Sequence, residues 1–190
     1  MTVRFLALLL LVVVSVPGVA RSEVRGKSFE VGGLVAIADW QDKVGLKPCA
    51  WYGGMAGHRF EAVAERIHMG FRATWEGCIT ALDTASAPRV DMILVAGHFN
   101  YGVKPLDWLL VYGQVGVGMM LGDRTPSGGT LTPRITFSGG PGVFVTLGKY
   151  LFVDVSLRLL VFENFQFGGF GGQAGNATNP LVSLTIGAQI

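Results

Sequence analysis

The stretch from Arg134 to Phe162, RITFSGGPGVFVTLGKYLFVDVSLRLLVF, constrains this chain more than any other. It divides at Gly148-Lys149 into two strand-length runs joined by a tight turn, the pattern of a β-hairpin. Successive side chains of a strand point to opposite faces. In the second run Leu151, Val153, Val155, Leu157, Leu159 and Val161 share one face, and Phe152, Asp154, Ser156, Arg158, Leu160 and Phe162 share the other. The first run sorts in the same way, with Ile135, Phe137, Val143, Val145 and Leu147 set against Arg134, Thr136, Ser138, Gly140, Gly142 and Thr146. One side of the hairpin is wholly apolar, and the fold depends on what that side touches.

Composition narrows the choice. The chain has 190 residues, enough for one domain, with 15% charged residues, against about 25% in ordinary soluble domains. Its mean hydropathy is +0.47. Beyond the N-terminus, however, no window approaches the roughly 18 uninterrupted apolar residues of a membrane helix, so the apolar character is spread along strands. The formal net charge is +2 and no basic cluster marks a nucleic-acid surface.

Residues 1–20, MTVRFLALLLLVVVSVPGVA, have the form of a cleaved secretory signal peptide. Arg4 supplies the basic start, an apolar run follows, Pro17-Gly18 breaks it, and Gly18-Val19-Ala20 offers small residues for cleavage. The run from Phe5 to Val16 is too short to cross a bilayer as an anchor. Residues 21–190 are then the exported domain.

Strand candidates run over Phe29 to Ala38, Ala50 to His58, Arg66 to Gly77, Arg89 to Asn100, Trp108 to Leu121, Arg134 to Leu147, Tyr150 to Phe162 and Leu181 to Ile190. Their connections alternate between long (Asp39 to Cys49, Cys78 to Pro88, Gly122 to Pro133, Glu163 to Pro180) and short (Arg59 to Glu65, Tyr101 to Asp107, Gly148-Lys149). An up-and-down membrane barrel has this alternation. Trp40, Trp51 and Trp75 fall at the long-loop ends of strands, and Tyr101, Trp108 and Tyr150 at the short-turn ends, as two interfacial aromatic girdles require. The second face decides between lipid and water outside: Leu110, Tyr112, Gln114, Gly116 and Gly118 in the fifth run, and Ser183, Thr185, Gly187 and Gln189 in the last, are small and scarcely charged. That suits a narrow barrel interior and not a solvated exterior. The expected fold is all-β, an eight-stranded antiparallel up-and-down transmembrane β-barrel. Alternation leaves the register of the first, second and fourth runs open.

Facing the apolar side outward turns Glu30, Arg66, His68, Arg72, Glu76, Asp154 and Arg158 into the lumen, where carboxylates and guanidiniums must pair. They are expected to plug it, because eight strands leave room only for side chains. Cys49 and Cys78 sit opposite each other at the long-loop end if the intervening turn is centred between Val63 and Ala64, and export permits a disulfide there. His58, His68 and His98 lack ligand spacing, so no metal is expected. The glycines of 168–175 lack the Gly-Lys-Ser/Thr ending of a phosphate loop. No cofactor is expected.

The leader, the opening SFEVGGLVAIADW, the alternating connections and the strand-like C-terminus together resemble the small outer-membrane β-barrels of the OmpA/OmpX type over Ser28 to Ile190. The chain ends in Ile190, where that class typically ends in an aromatic. The resemblance implies an outer-membrane location, contact with membrane lipid and lipopolysaccharide, insertion by the barrel-assembly machinery, and a structural or surface-interaction role, with the long loops available to a protein or cell-surface partner. Lipid A acylases and deacylases share the architecture and give the alternative of a lipid-modifying enzyme. The deacylase branch uses His-x-Ser, which His58-Arg-Phe, His68-Met-Gly and His98-Phe-Asn do not match; no catalytic residue is implied and the chain is expected not to be an enzyme. A secreted soluble barrel binding an apolar ligand is the other alternative.

Overall fold

In a computed structural model of the chain, residues 28–38, 48–61, 66–81, 89–125, 129–162 and 177–190 are described. The leader and Trp40 lie outside these residues. The strands are β1 (Ser28–Ala38), β2 (Cys49–Glu61), β3 (Ile67–Ala81), β4 (Arg89–Leu106), β5 (Leu109–Thr125), β6 (Gly129–Leu147), β7 (Leu151–Phe162) and β8 (Ala177–Gln189). Each pairs antiparallel with the next, and β8 returns to β1, so the eight strands form a closed barrel. Closure satisfies every strand edge, which a sheet in hydrocarbon requires. The two termini are tied by Phe29 N–H to Ile190 O at 3.0 Å and Ile190 N–H to Phe29 O at 2.9 Å.

Sequence alternation dictates the facing. Along β1, SFEVGGLVAIA, buried and accessible positions alternate almost without exception. Phe29, Val31, Val35 and Ile37 point out, and Ser28, Glu30, Leu34, Ala36 and Ala38 point in. The register that the sequence left open in β4 is fixed by pairing with β3 from Ile67↔Val103 to Ala81↔Arg89. It turns Ile93, Val95 and Tyr101 outward and Met92, Leu94, His98 and Asn100 inward. Ile135 and Val115 are each 62% exposed, while Glu30 is 1% exposed. The polarity of a soluble domain is thus inverted. Val145 and Val155 also belong to the outer face, yet they are buried, because each is flanked in its row by branched side chains, Leu109 and Val153 for the first, Val143 and Leu184 for the second.

Several strands exceed their expected limits. β4 runs on to Leu106, absorbing most of the segment from Tyr101 that reads as a connection and leaving Asp107-Trp108 as the turn. The cause is visible in the sequence, since Gly102 and Lys104 continue the inward face and Val103 the outward one. β2 reaches Glu61 and so takes in Arg59. In β6 the ladder to β7 passes from Gly139↔Leu159 to Gly142↔Ser156. Between them Pro141 has no N–H to give, and Gly140 adopts φ 155°, with the Leu157 carbonyl oxygen where a Cβ would stand.

Candidate functional site

Among the described residues the interior holds three buried carboxylates, Glu30, Glu76 and Asp154, and three buried guanidiniums, Arg59, Arg72 and Arg158. They come from β1, β2, β3 and β7, and alternation alone turns them inward. Arg72 is the hub. Its Nε donates to Glu30 Oε2 at 3.1 Å and its Nη1 to Asp154 Oδ2 at 2.8 Å and to Tyr112 Oη at 3.1 Å. The Tyr112 hydroxyl in turn donates to Asp154 at 2.8 Å. Arg59 pairs with Glu30 and lies 3.8 Å over the Phe144 ring, which stacks on Phe152 at 4.7 Å. Nearer the long-loop end Arg158 grips Glu76 in a two-point fork, 2.6 Å to Oε1 and 2.8 Å to Oε2, the geometry that makes arginine the favoured partner of a carboxylate.

Between the two ionic layers, His98 bridges Thr74 Oγ1 at 3.1 Å and Ser138 Oγ at 3.5 Å. The spaces beside these groups, one of about 20 Å³ next to Gln114 and Ser156 and one of about 10 Å³ next to His68 and Asn100, are of the order that holds single waters, roughly 10 to 15 Å³ each. Glycines make room for the large side chains. A Cβ on Gly102 would stand 2.6 Å from that of Tyr112. Toward the long-loop end the filling becomes apolar: Leu34, Ala36, Trp51, Met92, Leu94, Met120, Leu160 and Leu181 pack around Cys49 and Cys78.

Of the expected lumen residues, Glu30, His68, Arg72, Glu76, Asp154 and Arg158 lie inside the barrel. Arg66 does not. It shares the parity of His68 but precedes the first residue of β3, so it sits in the turn, exposed at the mouth, where its carbonyl accepts from Lys104 N–H at 2.8 Å. Cys49 and Cys78 are bonded, with Cα atoms 6.3 Å apart. The register pairs Trp51, not Cys49, with Cys78, so the bridge runs diagonally and lies within the lumen rather than across the loops.

The aromatic expectation needs two corrections. Trp51 is fully buried inside the barrel, on the same face of β2 as Cys49 and Met55. Its neighbour Tyr52 takes the outward place and is 64% exposed. Trp75, Tyr101 and Tyr150 are exposed and Trp108 is half-buried; Tyr101 lies well within β4 rather than at its turn. Arg59, Phe144 and His98 are interior groups outside the expected lumen set, Arg59 because it read as part of a connection and His98 because the register of its run was open. Among the described residues no group of His, Cys, Asp or Glu is placed to hold a metal ion.

No protein-family model matches the sequence, and no curated protein matches it. Solved structures do match the fold. The attachment invasion locus protein Ail of Yersinia pestis superposes with a TM-score of 0.56 at 11% identity, over 88% of this chain and all of that one. Neisserial surface protein A gives 0.53 at 9% identity, over 87% of this chain and 97% of its own. The outer membrane protein OprG of Pseudomonas aeruginosa gives 0.51 at 10%, over 91% and 99%. At such identities the likeness is one of fold, that of the small outer-membrane barrels.

Proposed function

We propose that this chain, an eight-stranded barrel of the small outer-membrane type, is exported by cleavage of residues 1–20 and resides in a Gram-negative-type outer membrane. Its termini and short turns face the periplasm and its long connections face outward. Its role is structural or one of surface interaction, and its lumen is plugged. Membrane lipid and lipopolysaccharide surround it, the barrel-assembly machinery inserts it, and a protein or cell-surface partner meets it through the long connections. The observation that carries this reading is the inverted polarity: the outward faces are apolar around the barrel, while the buried carboxylates are paired inside with arginines from other strands. An exterior of that kind is stable only against hydrocarbon, and the interior leaves no space for an aqueous pore.

Three measurements test the reading. In membrane fractions the unheated protein is expected to migrate as a compact folded species on a denaturing gel and to shift on boiling; recovery as a soluble species overturns the location. In planar bilayers the purified chain is expected to add no steady porin-like conductance, and a persistent open channel overturns the plugged lumen. The reading also excludes lipid chemistry, so the lipid A mass spectrum is expected to be the same with and without the protein.

A further inference from the structure

The outer wall is not uniform. Over β6 to β8 it is surfaced by branched aliphatic side chains, with Val143, Val155 and Leu184 side by side in one row and Leu157 paired with Val182. Over β2 to β4 one row of paired positions, Ala56↔Ala73 and Ala73↔Gly97, carries almost no side chain. Beside it stand the rings of Phe71 and Phe99, 5.2 Å apart, with Phe60 next to Phe71 at 6.2 Å. The small residues form the floor and the rings of Phe71 and Phe99 the rim of a groove of about 740 Å³ that opens outward.

Packing within the chain explains the inward glycines but not the one on this floor. A Cβ on Gly57 would meet Arg72 Cγ at 2.7 Å, and one on Gly118 would meet the Ala96 Cβ at 2.7 Å. On Gly97 it would meet nothing within 4 Å. Gly33 and Gly113 are equally open, but Gly97 alone of the three lines the groove. An interior strand glycine weakens the strand and often marks where another molecule approaches the backbone closely.

Depth and charge indicate the occupant. The aromatic rim lies on the short-turn side, since Phe29 is next to the start of β1 and His58 is close to the end of β2. At the foot of β3 on that side Arg66 is exposed. A strand rises about 3.3 Å per residue and membrane strands tilt about 45°, which sets Arg66 on the order of 15 Å below Ala73 in the direction of the membrane normal. That separation suits a phosphate at the surface and an acyl chain in hydrocarbon. An unbranched chain can follow a floor of alanine and glycine and regain the dispersion contacts that an unfilled groove forfeits.

We propose that this groove seats an acyl chain of a phospholipid from the leaflet on the short-turn side, with its phosphate against Arg66. The inference rests on the membrane reading above. It is tested with the full chain in vesicles of phosphatidylcholine and phosphatidylglycerol, following the motionally restricted component of an acyl-chain spin label on phosphatidylglycerol. Gly97→Leu and Ala73→Leu, which fill the groove from outside, are expected to remove the groove's share of that component. Gly113→Leu, an equally open outward site beyond the groove, is expected to leave it intact. Arg66→Gln is expected to abolish the preference for phosphatidylglycerol over phosphatidylcholine. If the Gly97→Leu barrel inserts, shows the gel shift and keeps the full restricted component, the groove proposal is overturned while the membrane reading stands. Dimers trapped by a disulfide from Ala73→Cys would assign the face to a second copy and overturn it as well. A wild-type chain that does not enter the vesicles at all overturns the membrane reading instead.

Discussion

Toward the short turns the interior is filled by charge set against Phe144 and Phe152, with Arg59 and Arg72 held among Glu30, Asp154 and the Tyr112 hydroxyl, whereas toward the other end it is filled by Trp51, Met92, Leu94, Leu160 and Leu181 around a disulfide. The two fillings fail in different ways. The apolar end loses stability in proportion to the volume removed, because its energy is the sum of many weak contacts. The ionic end depends on balance. Each buried charge is tolerable only while its partner remains, so one substitution can cost more than the pair itself contributes. The Glu76–Arg158 fork marks the boundary between the two.

This contrast is open to direct attack by unfolding titrations of the vesicle-inserted barrel. The largest loss is expected from Arg72→Met, which leaves Asp154 only the Tyr112 hydroxyl and Glu30 only Arg59 and should cost about 3 to 5 kcal/mol; a change near zero would mean that the network is not held in the folded protein. Leu94→Ala at the apolar end is expected to cost about 2 to 5 kcal/mol, near the lower figure if neighbouring Met92 and Met120 collapse into the space. The smallest effect is expected from replacing both members of the boundary fork, Glu76→Leu with Arg158→Met. Since apolar substitutes for a buried pair are often neutral or stabilising, a change within about 1 kcal/mol is expected, while Glu76→Leu alone should approach the Arg72→Met loss. A double substitution as damaging as either single one would show that the fork, too, has to be ionic.

Much of the architecture is legible without coordinates. The apolar row of β7 and the small, polar row of β8 determine which side faces outward, because a strand's alternation is local and survives any uncertainty about its neighbours. Arg72, Glu76, Asp154 and Arg158 could be turned inward by counting alone. Where the sequence misleads, the fault lies at strand ends. Arg66 has the correct parity but lies just before β3, and Arg59 belongs to a strand that extends beyond its apparent end. Trp51 looks like an interfacial ring only while the phase of β2 is unknown, since a change of one residue exchanges it with Tyr52.

The sequence by itself determined the number of strands, the outward apolar face and the charged character of the lumen, all consequences of a two-residue period written into each segment. Only the closed barrel decided which carboxylate meets which guanidinium, that the Cys49–Cys78 bridge runs diagonally inside the lumen, and that Ala56, Ala73 and Gly97 align across neighbouring strands. Those juxtapositions are set by register between strands. Register follows from pairing around the whole circumference, whereas alternation along one strand fixes only the face on which each residue lies.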